Sequence, residues 1–423
     1  MSNNLDSNIT QKVAKVFNKA FETARTVSKT VNTELLQGKH DASTGETVYT
    51  KRPHQYRNVP TSDGDISAAT KNSIISGKCP ATVQDYITVP MEWNAGDEAL
   101  KLDQLEKIIQ PAAETCVITM EMMFQQFAVE NLGLSYGVPG VAVDAFTDVS
   151  MCNALLDSIG VPKTTDRYYI INPFSDALLA SAQAGLSNEM LTKAAWERAH
   201  AAKRIGGFVA IPAGGMYAYT TGTLTPDRVG AIDAAPAATY LAAKDTMNQT
   251  VALKGLTASL TIEEGEILEY STIYMRNQRT GQIIYGSDGN PVKFRQTVVT
   301  GGTTDGTGDV TLTVTPAGIY EANGQYNNIS AAIAINDVVT VLGAASTTYQ
   351  PNLFYHKDAL GIATIKLPKL YSTDTIITTE DNISIRVSKY SDGDANSQKI
   401  RFDLRPVFSC FNPLFGGKSY GMA

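Results

Sequence analysis

The sequence predicts an α+β protein that carries an inserted all-β barrel domain. Two stretches, residues 10–34 and 97–133, place apolar residues at the spacings of three and four that define one face of a helix. Residues 223–345 instead alternate apolar and polar side chains between Gly, Asp and Asn turns, at the roughly 8–12-residue intervals typical of small β domains. Because helices and strands are mixed on both sides of that region, we predict that one domain interrupts another.

Residues 1–37 are predicted to form an N-terminal arm whose helix covers residues 10–34. Its apolar stripe includes Val13, Phe17 and Phe21, and several lysines occupy the opposite face. Such a helix either docks on its own domain with a solvated basic face or packs against a neighbouring subunit or a partner helix. The second interpretation makes these three residues candidate assembly contacts.

Residues 38–90 are predicted to form a long extended loop flanked by strands. The loop is polar, contains frequent Gly and Pro, and has few large apolar residues with which to bury its own surface. We expect residues 50–88 to become ordered only when another molecule covers them. Arg52 and Arg57 in this stretch are therefore candidate contacts as well.

Residues 91–139 are predicted to contain a long spine helix that starts near residue 97. Its Met and Phe residues are expected to form a buried stripe. Pro111 is expected to break or kink the helix, because proline removes a backbone donor.

Two regions of mixed helices and strands flank the predicted barrel. Residues 140–222 alternate helical patterns with short apolar strands, and residues 346–423 end in two strands joined by a polar turn. This alternation predicts α/β or α+β organisation on both sides of the insertion.

Residues 223–345 are predicted to close a barrel of their own. The runs TASLTIEEGEILEY and DVTLTVTP supply alternating apolar residues for one inner face. The stretch 231–249 has small residues, a proline and charged ends, so we predict a loop that reaches from the barrel to a neighbouring molecule. Asp233, Lys244 and Asp245 are candidate contacts across that interface.

The sequence offers no catalytic or metal-binding constellation. The four histidines and four cysteines stand at no ligand spacing and form no C-x-x-C pair. The stretch NPLFGGKS imitates the end of a phosphate loop, but Asn412 stands where the first Gly is required. A formal net charge of −7 argues against a broad nucleic-acid-binding surface. No apolar run approaches the ~20 residues that cross a bilayer. We predict no enzyme activity, no cofactor, no metal and no membrane contact.

Four stretches carry a resemblance to a known family. They are YYIINPFSDALLA, RIGGFVAIP, NLFYHKDALGIATIKLP and SIRVSKYSDGDANSQKIRFDLRPVFS. Together with the order of arm, extended loop, spine helix and inserted barrel, they resemble the major capsid (coat) proteins of short-tailed lambdoid double-stranded DNA bacteriophages. Those proteins have the Hong-Kong-ninety-seven-type capsid fold with an Ig-like or telokin-like insertion domain of six strands.

The resemblance implies a function and a set of partners. It implies assembly of the chain with itself into pentamers and hexamers of an icosahedral shell, around a scaffolding protein and with a portal protein. It also implies expansion of the shell as double-stranded DNA is packaged, with only weak non-specific contact to that DNA. In that fold, 38–139 belong to the peripheral domain and 140–222 to the axial domain, and 346–423 complete both. The expected location is the virion capsid, after assembly in the host cytoplasm.

Two other interpretations remain open at this stage. A secreted surface-layer or adhesion protein could carry an Ig-like domain, but the N-terminal sequence lacks the basic start and apolar core of a signal peptide. A hydrolase with an unrecognised site is the other, and the shortage of histidines and catalytic motifs argues against it.

Overall fold

A computed structural model of the chain forms two compact units. It describes residues 5–34, 36, 45–59, 61–67, 69–94, 105–163, 165–185, 189–198, 200–371, 374–379, 381–392 and 397–422. The first unit comprises Met1–Thr50, Pro80–Gln125 and Leu360–Ser409. The second comprises Lys51–Cys79, Gln126–Ala359 and Cys410–Ala423.

The described residues form six α-helices and 24 strands, and all six helices precede β10. The helices are α1 (Leu5–Ala24), α2 (Leu105–Asn131), α3 (Phe146–Ile159), α4 (Pro173–Ala184), α5 (Glu189–Arg198) and α6 (Tyr240–Ala243). The strands are β1 (Thr47–Lys51), β2 (Lys78–Val83), β3 (Ile87–Asn94), β4 (Leu134–Tyr136), β5 (Arg167–Ile171), β6 (Arg204–Ile205), β7 (Phe208–Pro212), β8 (Tyr219–Thr220), β9 (Val229–Ala234), β10 (Gln249–Lys254), β11 (Thr261–Ile262), β12 (Ile267–Tyr274), β13 (Lys293–Thr300), β14 (Gly302–Thr303), β15 (Val310–Thr315), β16 (Val338–Leu342), β17 (Thr348–Tyr349), β18 (Asn352–His356), β19 (Leu360–Thr364), β20 (Thr375–Thr378), β21 (Ser384–Asp392), β22 (Ser397–Leu404), β23 (Pro406–Cys410) and β24 (Gly416–Ser419). Three-residue 3-10 turns occupy Val27–Lys29, Lys357–Ala359 and Pro413–Phe415.

The first unit is built on two four-stranded sheets. One is antiparallel with the order β20-β21-β22-β3, and the other has the order β1-β2-β23-β19. The long β21-β22 pair confirms the two strands that the sequence predicts near the end of the chain. Asp403 of β22 is fully buried and accepts hydrogen bonds from Arg386 (2.6 Å), Arg401 (2.7 Å) and Thr88 (2.8 Å). Burial alone would raise the pKa of Asp403, but these hydrogen bonds outweigh burial and lower it.

Helix α2 confirms the predicted spine helix and its buried stripe. Cys116, Met120 and Phe124 are fully buried, and the Phe124 ring meets Phe408 of β23 edge-on at 5.4 Å. The helix continues through Pro111, so the predicted break is wrong. A proline inside a helix costs about 3 kcal/mol, and burying several large apolar side chains at ~1.5–3 kcal/mol each offsets that cost. The predicted start near residue 97 lies outside the described residues.

The second unit contains a six-stranded sheet of order β4-β24-β18-β5-β7-β6. β5 and β7 run parallel, and β4 forms an edge of the sheet parallel to β24. Helix α3 ends at Gly160, whose φ of 95° lies in the left-handed region that glycine adopts without strain. Helix α4 begins where the Asn172 side chain accepts a hydrogen bond from the Phe174 amide, with Pro173 at the first helical position. The phosphate-loop-like stretch near the end of the chain forms β24, a buried strand.

The inserted region closes into the predicted barrel. Its six strands have the order β10-β15-β13-β12-β16-β9, and the neighbours in that order are antiparallel. The six apolar residues that the two runs supply for the inner face are Leu260, Ile262, Ile267, Val310, Leu312 and Val314. All of them except Leu260 are buried. Leu260 is half-buried. Alternation of apolar and polar residues therefore identified these buried positions.

The prediction of a loop over 231–249 is wrong for about half of that stretch. Residues 231–234 belong to β9, which completes the barrel, and Ile232 is fully buried. Tyr240 on α6 is 2% exposed and stacks on Tyr326 with ring centroids 3.6 Å apart. The sequence pattern did not predict these elements, because alanine is frequent in both. The strand and the helical turn each contain one large buried side chain, which sets no period.

Candidate assembly surfaces

Val13, Phe17 and Phe21 lie in the core of the first unit. All three are fully buried, and the Phe17 ring stacks on Phe402 of β22 with centroids 4.0 Å apart. Of the two interpretations of α1, the structure therefore has the helix docked on its own domain. Side chains already buried by their own chain cannot contact a neighbour unless α1 detaches, so the stripe is corrected to core. The exposed face of α1 carries Lys15 and Lys19.

Helix α1 also ends earlier than predicted, at Ala24 instead of residue 34. Glu121 of α2 accepts hydrogen bonds from the backbone amides of Thr26 (2.7 Å) and Ser28 (3.1 Å). These amides are thus bonded to a carboxylate and not to helix carbonyls, and a 3-10 turn follows. A contact so distant in sequence leaves no periodic signal.

Arg52 is the second candidate that the structure corrects. It is 7% exposed, and its Nη1 donates to the Phe411 carbonyl at 2.7 Å while its Nε donates to the Lys244 carbonyl at 3.3 Å. Its guanidinium therefore joins segments of its own chain. Arg57 is exposed, and its Nη1 donates to Asn323 Oδ1 at 3.0 Å.

The segment from Arg52 to Gly77 contains no regular secondary structure among its described residues. Besides the contact of Arg57, the Ser73 amide donates to Gln325 Oε1 at 3.0 Å, which ties the segment to the inserted region. Tyr56, Ile66 and Ile74 are 50–77% exposed. The segment thus combines a few polar anchors with large exposed apolar side chains.

The three charged candidates of the inserted region are paired within the chain. Asp233 lies on β9 with its carboxylate 3.6 Å from Lys254 Nζ. Lys244 and Asp245 follow α6, and their charged groups are 3.1 Å apart. All three side chains keep partial exposure, from 25% to 49%.

Two cations, the half-buried Arg295 and the buried Lys418, fasten the barrel to the sheet of the second unit, and the sequence analysis missed both. Arg295 of β13 is held by Glu269 (2.8 Å) and donates to the Gly137 carbonyl (2.9 Å), just beyond edge strand β4. Lys418 of β24 is fully buried and donates to the Gly265 carbonyl. Burial lowers the pKa of Lys418 to about 7, although nearby Glu130 and Glu266 favour its charged form.

His356 is a buried histidine whose contacts are structural. It is 1% exposed, its Nδ1 accepts from the Asp358 amide (3.2 Å), and its Nε2 therefore carries the proton that faces Thr165 Oγ1 (2.6 Å). Burial lowers the pKa of His356. No three His, Cys, Asp or Glu side chains gather as metal ligands in the described part of the chain. Within the same residues, no helix is long and apolar enough to span a membrane.

Helix α4 presents an apolar face to solvent, which the sequence analysis also missed. Phe174 is 82% exposed and Leu178 is 44% exposed, and the exposed positions between and beyond them are Ala177, Ser181 and Ala182. Its one charged residue, Asp176, points inward. The signal was present in the sequence, because positions 174, 177, 178, 181 and 182 form one uncharged helix face.

The described residues form a mixed α+β fold with a closed six-stranded barrel. Residues 1–421 match the family described as "P22 coat protein - gene protein 5". A protein named "Major capsid protein", from Acyrthosiphon pisum secondary endosymbiont phage 1, is 39% identical over 425 residues, and the alignment covers 100% of both chains. The chain belongs to the P22 coat protein family. It is a structural component of a bacteriophage virion and not an enzyme.

Two solved structures show a similar course of the chain. A Mycobacterium phage Che8 chain overlays with a TM-score of 0.44 at 12% identity, covering 93% of this chain and 90% of the other. The capsid of Ralstonia phage GP4 overlays with a TM-score of 0.42 at 9% identity, covering 93% and 86%. At these scores the overlays add nothing to the family match.

Proposed function

We propose that this protein is the major capsid protein of a short-tailed lambdoid phage, with the Hong-Kong-ninety-seven-type subunit fold. Copies of it assemble into pentamers and hexamers of an icosahedral shell that encloses double-stranded DNA. The family match over residues 1–421 carries this proposal. The six-stranded closed barrel supports it, because the resemblance implied an insertion of that kind. The family match does not favour the alternative of a secreted adhesion or surface-layer protein.

The extended segment before Gly77 is proposed to reach a neighbouring subunit. Its exposed Tyr56, Ile66 and Ile74 would lose contact with water there, and burying a large apolar side chain is worth ~1.5–3 kcal/mol. Ordering each residue opposes assembly by about 1–2 kcal/mol. The contact must therefore be extensive, and the exposed Arg57 is proposed to take part in it.

The inserted region 223–345 is proposed to be a domain that folds by itself and touches a neighbouring capsomer. Asp233, Lys244 and Asp245 are the residues proposed for that contact. Each exposed ion pair contributes only ~0–1 kcal/mol, so the contact matters through its repetition around the shell. The local balance of seven Lys and Arg against twelve Asp and Glu, 7 − 12 = −5, favours an outward position away from DNA.

A scaffolding protein, a portal protein and packaged DNA are the proposed partners. The exposed Lys15 and Lys19 of α1 are available to a partner, whereas the apolar stripe of that helix is not. With a net charge of −7, contact with DNA is weak and non-specific. Shell expansion during packaging completes the proposed sequence of assembly.

Electron microscopy of the purified chain, with and without its scaffolding protein, tests the proposal. Closed shells of uniform size are expected with the scaffold. A chain that stays monomeric, or forms only sheets and aggregates with the scaffold present, contradicts the proposed function. Expression of residues 223–345 alone tests the domain proposal, for which a cooperative unfolding transition and a β circular dichroism spectrum are expected.

A further inference from the structure

The extended segment before β2 divides into a base and a tip. The base is defined here as two arms, residues 52–57 and 72–77, and the tip as residues 61–67 between them. The arms are joined where the Arg57 amide donates to Asn72 Oδ1 (3.0 Å) and Asn72 Nδ2 donates to the Arg57 carbonyl (2.8 Å). The Asn72 side chain thus bonds both backbone groups of Arg57, as a paired strand would.

The inserted region holds the second arm through Gln325. This residue is 9% exposed, its Oε1 accepts from the Ser73 amide (3.0 Å), and its Nε2 donates to the Ser73 carbonyl (2.7 Å). Ile75 of the same arm packs against the apolar cluster of the inserted region that contains Tyr240 and Tyr326. One buried side chain therefore satisfies both backbone groups of Ser73, and apolar packing follows two residues later.

The inserted region also holds the first arm. Gln55 Nε2 donates to Gln278 Oε1 at 2.6 Å, and Arg57 Nη1 donates to Asn323 Oδ1 at 3.0 Å. The buried Arg52, where this arm begins, donates from Nε to a carbonyl of the inserted region at 3.3 Å. Both arms are thus bonded to the inserted region at several points, which fixes the base on it.

The loop that presents Gln325, residues 321–327, is itself fixed. Asn327 Oδ1 accepts from the Glu321 amide and Asn327 Nδ2 donates to the Glu321 carbonyl, each at 2.8 Å. Tyr326 is 4% exposed and stacks on a second buried tyrosine with ring centroids 3.6 Å apart. A loop closed by its own side chain and anchored by a buried ring holds Gln325 in one place.

The tip contrasts with the base. All seven of its residues are exposed, including Ile66 at 50%. The hydrogen bonds described there join near neighbours in sequence, since the Asp65 amide donates to Asp63 (3.1 Å) and the Ser67 amide donates to Asp65 (2.8 Å). With local contacts of this kind, the tip takes its position from the base that carries it.

We propose that the inserted region is a clamp that aims the extended segment at the neighbouring subunit, with Gln325 as its positioning residue. This inference rests on the proposed function, in which the segment contacts another copy of the chain. Because the base is ordered in the free subunit, assembly does not have to supply the conformational entropy of ordering it. The inserted region thereby acts on a contact that a different segment of the chain makes.

Tryptic cleavage of the free subunit tests the clamp separately from assembly. Gln325→Glu keeps the length of the side chain but sets an acceptor against the Ser73 carbonyl, where the amide donated. Cleavage after Arg57 and Lys71, which flank the tip, is expected to become about tenfold faster. Asn336→Asp is the matched control, because it makes the same amide-to-carboxylate change at an exposed turn of the inserted region. Equal cleavage rates in the two variants overturn the inference.

A covalent lock tests whether the segment stays clamped during assembly. A chain carrying Gln55→Cys and Gln278→Cys is treated before assembly with a short bifunctional maleimide, which joins the first arm to the inserted region. Locked subunits are expected to form shells with the scaffold at the same protein concentration as the unaltered chain. If the variant assembles only before it is cross-linked, the segment has to leave the clamp and the inference is overturned. Three native cysteines are buried, which limits background reaction.

The two changes together link the clamp to assembly. Gln325→Glu is expected to raise the protein concentration needed for assembly by about tenfold, and Asn336→Asp to leave it unchanged. Adding the lock to Gln325→Glu is expected to lower that concentration again, which loss of a purely structural contact would not allow.

The outcomes separate this inference from the proposed function. Normal assembly of Gln325→Glu overturns the clamp but not the proposed function. The proposed function fails separately, if the unaltered chain forms no shell with its scaffold. If Gln325→Glu misfolds, as urea unfolding of the free subunit would show, the lock in the otherwise unaltered chain decides.

Discussion

Replacing Phe17 by alanine is expected to destabilise the free subunit strongly. The side chain is fully buried, and its ring lies 4.0 Å from that of Phe402, with the two planes within 9° of each other. Removal of a buried Phe side chain typically costs about 3–5 kcal/mol. Loss of the stacked ring pair accounts for ~0.5–1.5 kcal/mol of that.

The size of this effect separates the two interpretations of α1. If Phe17 served a neighbouring subunit, its removal would spare the free subunit and weaken only assembly. Buried as it is in its own chain, Phe17 instead contributes about 3–5 kcal/mol to a domain stability that is typically ~5–15 kcal/mol. The variant is therefore expected to lose about a fifth or more of its stability before any assembly begins.

Urea unfolding of the unassembled subunit, followed by circular dichroism, measures the change. Phe146→Ala is the matched control, because Phe146 is 61% exposed and its removal is expected to change stability by less than ~0.5 kcal/mol. A double-mutant cycle with Phe402→Ala isolates the ring pair, and a coupling of ~0.5 kcal/mol or more is expected. A loss below ~1 kcal/mol for Phe17→Ala would refute the burial argument.

Three further outcomes are expected from the joints of the second unit. Gly77→Ala would place a Cβ 2.5 Å from the Lys244 carbonyl, so we expect a loss of ~1–3 kcal/mol in urea unfolding. Arg295→Ala leaves the Gly137 carbonyl without its donor. The unfolding free energy is expected to fall by ~1–3 kcal/mol, which a lower thermal midpoint would show. The pKa of His356 is lowered from 6.5 by burial, so the folded state binds fewer protons than the unfolded state. The unfolding free energy is thus expected to fall as pH drops below 6.5. In the His356→Gln variant this decrease is expected to be smaller.

Each of these outcomes has a matched control in the same unit. A Cβ on Gly214 meets nothing within 4 Å, so Gly214→Ala should be harmless where Gly77→Ala is not. Arg204 is 76% exposed, and its replacement by alanine should leave the midpoint unchanged. His54 is exposed, so His54→Gln should keep the pH profile of the unaltered chain. Equal effects of a substitution and its control would contradict the corresponding prediction.

The sequence predicted elements wherever apolar residues recur with one period. The stripe of α2 and the alternating strands β12 and β15 follow such periods. Met120 and Phe124 of α2 are buried as predicted, whereas Met122 is 41% exposed. Strand β9 and helix α6 were missed because small residues dominate both, and a lone Ile232 or Tyr240 sets no period. Pro111 misled the prediction of α2, because local propensity is weaker than the burial of a long helix face.

The candidate contacts were harder to predict, because they depend on which molecule covers a surface. Arg52 and Arg57 stand five positions apart in a polar stretch, yet one is 7% exposed and the other is exposed. What separates them is the carbonyl of Phe411, more than 300 residues away, which receives the Arg52 guanidinium. No local pattern encodes a partner at that distance.

Helices α1 and α4 show why an apolar stripe alone does not identify an assembly contact. Both sequences carry one apolar face, but α1 turns Phe17 into its own core, whereas α4 turns Phe174 to solvent and Asp176 inward. The deciding feature is the set of acceptors and donors behind the helix, here His200 and the amide that follows it, which satisfy the carboxylate of α4. Docking of α1 therefore contributes to the stability of the free subunit, whereas the exposed Phe174 of α4 contributes little to it. Phe17→Ala is thus expected to lower subunit stability strongly, whereas Phe174→Ala is expected to leave it nearly unchanged in urea unfolding.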